Sequence, residues 1–387
     1  MILLTAPRVL AAGGLIEPGW VLHDHAVREL GEGEPPAHVR RRASDVRALP
    51  EGVLAPGFVD LQVNGAFGVD FATAGDEDWA RVARQLATTG VTAFAPTLIS
   101  APIGELAAGV RRYRDRRPDL DRTPGAARTL GLHLEGPFLS EQRRGAHRAD
   151  LLRDPSPERV GALLEAGGDA LAYVTLAPER RGGLEAIRRL TGAGVRVAIG
   201  HSDADEATVY AAADAGATLV THLYNAQRPL RHRDPGTVGA ALVEPRLACG
   251  LIVDLHHVAP AAVRIAFVAA AGRVVLVSDA VAALGMPAGA YELGGERVDV
   301  RPGQPPRRRD GTLAGSTLRM DEAVANAVDR CGVDLVVALE AASRVPARAI
   351  GRVDLGVIAP GADADLVWLD GDLWARATWV AGVPLTY

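Results

Sequence analysis

The stretch VRVAIGHSDADEATVYAAADAGATLVTHLYN, residues 195–225, contains a β-like run, a helical segment and a second β-like run. Val195–Ile199 is apolar and β-branched and closes on Gly200-His201-Ser202, while Ala207–Ala213 has helical spacing. Thr218–Leu223 then repeats the strand pattern and closes on Thr221-His222-Leu223-Tyr224-Asn225. The same unit recurs on both sides. Phe58–Val63, Val91–Leu98, Leu130–Leu134, Leu171–Leu176, Gly250–Leu255 and Val274–Ser278 read as further strands. Between them lie segments of helical periodicity, including Trp79–Thr88, Pro157–Glu165, Leu184–Leu190 and Pro260–Ala269. Eight alternations predict a (β/α)8 TIM-type barrel over residues 54–350, since a doubly wound sheet more often uses about five to seven strands.

The two ends have a different texture. Residues 1–53 hold Gly13-Gly14, Pro18-Gly19 and Pro35-Pro36 between short β-like pieces such as Ala26–Leu30, without helical period. In residues 351–387, Ala364–Leu369 and Trp379–Val383 read as strands. The expected arrangement is a small β-sandwich domain built from both termini, with the barrel inserted between them. Residues 285–315 interrupt the barrel pattern with Gly- and Pro-rich turns, a strand at Val298–Val300 and the run Arg307-Arg308-Arg309-Asp310-Gly311. An excursion over the catalytic face is expected there.

The 387 residues suit a large domain with an accessory one, and 48% hydrophobic and 23% charged residues are ordinary globular usage. With 42 basic and 47 acidic residues the net charge is −5, which gives no general attraction to nucleic acid or anionic membranes. All the basic residues are arginine. The absence of lysine excludes a P-loop, a Schiff-base or pyridoxal nucleophile and a carboxylated-lysine metal bridge. Cys249 and Cys331 lie far apart without CxxC spacing, so both are expected to be core thiols. The start, Met1-Ile2-Leu3-Leu4-Thr5-Ala6-Pro7-Arg8, lacks a basic segment followed by a long apolar run, and no stretch is long enough to span a bilayer. A cytoplasmic protein is expected.

In a barrel of this type the chemistry gathers where strands end. The polar residues closing the runs are Asp60, Gln62 and Asn64 on the first strand, His133 and Glu135 on the third, His201 on the fifth and His222 and Asn225 on the sixth. Asp254, His256 and His257 close the seventh strand, and Ser278 and Asp279 the eighth. Glu135, His201 and His222 can converge as one carboxylate and two imidazoles, a metal set that leaves a position for water. Asp279 across the mouth could exchange a proton with that water. His23-Asp24-His25 imitates a metal-binding HxH but falls in the terminal β-domain and is read as surface. Arg111–Arg117 is read as a solvated helix end. Arg233 follows the sixth strand, where it could pair with a phosphate or form a salt bridge to Asp234.

Seven ordered motifs resemble the N-acetylglucosamine-6-phosphate deacetylases of the amidohydrolase superfamily. They are Pro56–Gly65 (PGFVDLQVNG), His133–Leu139 (HLEGPFL), Gly145-Ala146-His147, Gly200-His201-Ser202, Thr221–Ala226 (THLYNA), Ser278-Asp279-Ala280 and Asp310–Ser316 (DGTLAGS). The resemblance covers the barrel and both flanks. It implies one divalent metal per subunit on Glu135, His201 and His222, zinc first, with iron, cobalt and manganese as alternatives. It also implies that Asp279 is the general acid/base, and that metal-bound hydroxide attacks the acetamide with His257 helping to hold the oxyanion. His147, Asn225, Ala226, Arg233, His257 and the backbone of Leu313, Ala314 and Gly315 would contact the sugar phosphate. Products would be acetate and glucosamine 6-phosphate, and the implied assembly is a homodimer with a partner residue near the phosphate. Some family members carry HxH at the end of strand one and bind a second metal. Gln62 and Asn64 stand at those positions here. Leu255 replaces a usual glycine and Gln227 a usual methionine near the expected sugar pocket, which keeps open a related sugar such as the galactosamine epimer. A different amidohydrolase on the same barrel and a non-enzymatic sugar-phosphate sensor are the remaining alternatives.

Overall fold

The computed structural model describes residues 1–386. Eight parallel strands form the barrel: β1 (Phe58–Val63), β2 (Val91–Ile99), β3 (Leu132–Glu135), β4 (Leu171–Leu176), β5 (Arg196–Ile199), β6 (Leu219–Val220), β7 (Ala248–Leu251) and β8 (Val274–Leu276). β1 pairs with β2, and each later strand pairs with the one before it. The ring closes between β1 and β8 through a parallel bridge from Val63 to Ala280. At that seam the Asn64 N–H donates to the Ala280 carbonyl at 2.8 Å. Just below it, Asp60 accepts the backbone N–H groups of Gln62 and Ser278, and the Ser278 hydroxyl donates to its second oxygen at 2.5 Å.

Seven helices lie between the strands on the outside, α1 (Asp76–Ala87), α2 (Ile103–Leu120), α3 (Pro157–Gly167), α4 (Gly183–Gly192), α5 (Glu206–Asp214), α6 (Gly236–Val243) and α7 (Pro260–Ala269), and after β8 the segments Met320–Ala325, Leu335–Ala342 and Arg344–Ala349 cover β8 and β1. Their starts follow local chemistry. Ser156 accepts the Arg159 N–H at the head of α3, with Pro157 in the first turn, and Asp205 accepts the Thr208 N–H at the head of α5. α1 buries Trp79, Val82, Ala83 and Leu86 at helical spacing against the barrel. The Arg111–Arg117 run lies within α2, where Tyr113 is buried and Arg114, Arg116 and Arg117 pair with acids or carbonyls on the surface. None of the described helices is long and apolar enough to cross a membrane.

Several strands stop earlier than their apolar runs. Thr218–Leu223 was expected and only Leu219–Val220 forms, because the backbone turns to positive φ at His222, Tyr224 and Ala226. Gly250–Leu255 yields only Ala248–Leu251, with Leu255 at a φ of 64°. β3 begins at Leu132 because Gly131, at a φ of 102°, bends the chain after Leu130. His222 therefore stands on a left-handed turn just beyond the sheet, whereas Glu135 remains the last residue of β3.

Both chain ends form two packed sheets. One has the strand order Val27–Glu32, Gly19–His23, Ile2–Ala6, Asp45–Ala48. The other runs Val383–Thr386, Ala375–Val380, Leu366–Leu369, Val53–Pro56, Val9–Ala11, Gly14–Ile16, so the last strand before the barrel belongs to it. Leu4 and Val21 from the first sheet share a core with Leu54, Leu366 and Trp379 from the second. Three expectations are corrected here. Ala37–Arg42 is a short helix, invisible to periodicity because Val39 is its one buried residue. Trp379–Val383 is not one strand but the turn of a hairpin, with Ala381 and Gly382 both at positive φ. His23 is not at the surface: it is fully buried beside Trp379, and burial lowers its pKa, whereas the His25 side chain is exposed.

The 285–315 excursion contains a hairpin, Gly289–Leu293 with Glu296–Val300, turned by Gly294-Gly295. Leu293, Thr312, Leu313 and Gly315 from this excursion reach the barrel mouth.

Candidate active site

A cavity of about 310 Å³ opens at the ends of the strands. Its floor is charged. Nε2 of His201 and Nε2 of His222 stand 3.1 and 2.8 Å from the same Glu135 oxygen and 3.1 Å from each other. Three atoms bound to one ion at the usual ~2.0–2.1 Å would be separated by roughly 3.3 Å, so this triangle is close to the size of a coordination face. Nδ1 of His201 donates to the Arg143 carbonyl at 2.9 Å, which leaves its Nε2 lone pair directed into the triangle. Burial opposes ionisation of Glu135, but the hydrogen bonds and charges of His201 and His222 outweigh it and hold the carboxyl well below its ordinary range. For His222 burial works against protonation, yet Glu135 pushes the imidazole up to about 9.

Glu135, His147 and His201 also present ligand atoms within 4.8 Å of one another. His147 differs in its tautomer: its Nδ1 accepts the backbone N–H of Ser100, so the proton rests on Nε2, which lies 3.8 Å from Glu135. Burial drives its pKa down to about 3, and it faces the cavity as a neutral donor. The three ligand atoms that meet are therefore one Glu135 oxygen and the Nε2 atoms of His201 and His222, the last of which must lose its proton before it can bind an ion.

Asp279, directly after β8, faces this cluster. Its Oδ1 accepts the side-chain amides of Gln62 at 3.0 Å and Asn64 at 2.8 Å, and Gln62 also donates to Glu135 at 3.2 Å. Carboxylates only accept, so both amides must turn their NH2 groups inward, which makes them donors at this position. Burial, together with the Glu135 charge, raises Asp279 to about 7 despite His222, His257 and Asn64. A carboxyl that exchanges its proton near neutrality is suited to take one and return it. Opposite, Nδ1 of His257 donates to Asp254 at 2.6 Å, and Asp254 also accepts the backbone N–H groups of His256 and His257. Despite its burial, these bonds keep the Asp254 carboxyl below its ordinary range.

Among the remaining expected residues, His147, Asn225, Ala226, His257, Leu313 and Gly315 line the cavity. Ala314 is buried behind them, its N–H bonded to the Pro306 carbonyl. Arg233 is not among the lining residues: it is exposed and has no ion pair among the described residues. Asp234, its expected alternative partner, is held by Arg228 instead. Leu255 and Gln227 do not line the cavity either. Leu255 packs against the core in a left-handed turn, and Gln227 donates to the Thr221 carbonyl. His133 is a barrel-core residue, stacked on Tyr173 and bonded to Thr97 and Thr175.

Two contributors carried weaker signals. Arg143 acts through its carbonyl, which no side-chain motif reveals. Asp254 stands three residues before His257, a spacing that places both on one turn. Six of the nine described non-glycine residues at positive φ are His201, His222, Tyr224, Ala226, Leu255 and Asp279, so backbone strain is concentrated around this site.

A profile of the amidohydrolase family matches residues 53–384. N-acetylglucosamine-6-phosphate deacetylase of Bos taurus is 40% identical, over 99% of this chain and 95% of its own length. N-acetylgalactosamine-6-phosphate deacetylase of Escherichia coli O157:H7 is 39% identical, over 95% of this chain and 96% of its own. A solved variant of N-acetyl-D-glucosamine-6-phosphate deacetylase from Mycobacterium smegmatis, in complex with N-acetyl-D-glucosamine-6-phosphate, superposes with a TM-score of 0.92 at 38% identity, covering 100% of this chain and 99% of that one.

Proposed function

The chain belongs to the amidohydrolase family, and from that membership we propose that it hydrolyses the N-acetyl group of N-acetylglucosamine 6-phosphate to acetate and glucosamine 6-phosphate. The observation that carries this reading is the meeting of the Glu135, His201 and His222 ligand atoms beneath Asp279 in a cavity of sugar-phosphate size. One relative named for the galactosamine epimer matches almost as well as those named for the glucosamine compound, so the epimer is the competing substrate.

Glu135, His201 and His222 would hold one divalent ion, and we assign zinc, which suits two imidazoles and a carboxylate. The chemistry supplied by such an ion is acidification of a water and polarisation of the amide carbonyl. Gln62 and Asn64 point amide donors at Glu135 and Asp279, an arrangement that supports a single ion. The same two amides bind one Asp279 oxygen and leave the other for proton exchange. Asp279 takes a proton from the attacking water and delivers it to the departing amine, so that the C–N bond breaks to a neutral leaving group. His257 faces the carbonyl oxygen, and Asp254 positions its ring. His147, Asn225 and the backbone around Ala226, Leu313 and Gly315 orient the sugar phosphate. Asp254→Asn is expected to lower kcat by about 10- to 100-fold with little change in KM, the cost typical of a lost orienting partner.

The protein is proposed to act as a homodimer. Leu230 stands with the outward Arg233 in the exposed loop before α6, and Val243 at the end of α6 and Ile265 and Val268 on the adjacent α7 are further exposed apolar side chains. A second copy covering this face would bring Arg233 to its phosphate. Arg233→Ala should therefore raise KM for the phosphorylated sugar by about 10- to 100-fold while leaving kcat nearly unchanged. A phosphate ester does not diffuse through membranes, which supports a cytoplasmic location. The direct test is acetate release by the zinc-loaded protein from N-acetylglucosamine 6-phosphate, its galactosamine epimer and the unphosphorylated sugar. Preference for the first supports the reading, preference for the epimer reassigns the sugar, and no acetate from any of them overturns it.

A further inference from the structure

The most apolar group on an N-acetylated sugar phosphate is the acetamide methyl. In the deacetylase reading, on which this inference rests, the carbonyl oxygen faces His257 beyond β7 and the nitrogen faces Asp279 beyond β8. The methyl, as the third substituent of a trigonal carbon, is directed away from both. It points across the mouth toward β3 and β4, which stand opposite β7 and β8 in the ring, and β2 is the next strand on the far side of β3.

Ile99 is the last residue of β2 and is in register with Glu135, so both side chains project from the same face of the sheet. It lines the active cavity with Ala146 and Leu293, and the three belong to one apolar cluster. Ile99 also lines a second cavity, of about 320 Å³, whose walls are mostly apolar, with Ala72, Leu98, Ala101, Leu106 and Gly294, and include the exposed Glu105 and Arg112 where it meets solvent. The partition between the two is thin. A β-carbon on Gly294 would come within 2.6 Å of Ile99 Cδ1, so the hairpin tip rests directly on the isoleucine. Leu293 faces the first cavity and Gly294 the second.

We propose that Ile99 sets the acyl length of the substrate: it seats the acetyl methyl and blocks longer N-acyl chains from the apolar space behind it. Shortening the side chain joins the two cavities and provides room for propionyl and butyryl groups. Wild type, Ile99→Val, Ile99→Ala and Leu293→Ala, all zinc-loaded, are compared on N-acetyl, N-propionyl and N-butyryl glucosamine 6-phosphate by carboxylic acid release. Leu293→Ala widens the first cavity without removing the partition. For Ile99→Ala the butyryl-to-acetyl ratio of kcat/KM should rise on the order of tenfold, as expected for two methylenes entering apolar surroundings, with most of the change in KM. Ile99→Val should fall between it and the wild type, and Leu293→Ala should leave the ratio near the wild-type value. An unchanged ratio in both Ile99 variants, with acetate still released, overturns the proposal, and so does an equal rise in Leu293→Ala. Failure of the wild type to release acetate overturns the deacetylase reading itself, so the two failures are distinguishable.

Discussion

Asp279→Asn is expected to abolish most turnover while the substrate still binds. The change is nearly isosteric. Gln62 and Asn64 both donate to Oδ1 of Asp279, and an asparagine oxygen in the same place can accept both bonds. What disappears is the second oxygen, the one able to carry a proton. A side chain that cannot exchange a proton leaves the attacking water without a base and the amine without an acid, a loss of about 10²- to 10⁴-fold in kcat. Calorimetric binding of N-acetylglucosamine 6-phosphate to the inactive variant should give a Kd within a few-fold of the wild-type KM. Turnover near the wild-type rate would move proton transfer to another group, and His147 would be the first to examine, since it faces the same cavity.

Glu135, His201, His222 and Asp279 were legible in the sequence because a barrel brings the ends of its strands together, however far apart they are along the chain. The strand lengths were not legible. Left-handed turns at His222, Tyr224, Ala226 and Leu255 cut β6 and β7 short, and nothing in the residue types at those positions signals positive φ. The Leu255 turn explains why a glycine would suit that position and shows that this departure concerns backbone conformation rather than the cavity wall. The orienting partners were only partly legible. Asp254 is an acidic residue at a strand end, whereas Arg143 contributes a carbonyl that any residue could supply. Ile99 and Leu293 read as ordinary apolar residues, and their place beside the cavity depends on how a distant hairpin folds back. His23 followed a surface-like HDH pattern into the interior because its strand is covered by the second sheet on the side that carries Trp379.

Removing one imidazole from the Glu135 cluster is the other change with a large expected effect. His222→Ala takes away the Nε2 atom 2.8 Å from Glu135 and leaves one carboxylate and one imidazole. Catalytic zinc sites ordinarily use three protein ligands, so metal content after dialysis should fall from about one equivalent per chain to near zero, and acetate release by about 10³-fold or more. A chelator should produce the same loss in the wild type, reversed by added zinc; the variant should not recover at that zinc concentration. His222→Ala also strips a buried carboxylate of a charge partner, which can cost ~3–5 kcal/mol of stability. Thermal unfolding of wild type and variant, both metal-free, isolates that cost from the stabilisation by bound metal. The metal count tests the neighbouring amides as well. One equivalent in the wild type agrees with Gln62 and Asn64 acting as donors to Glu135 and Asp279, whereas two tightly held equivalents would require these amides to turn their oxygens inward and give up those bonds.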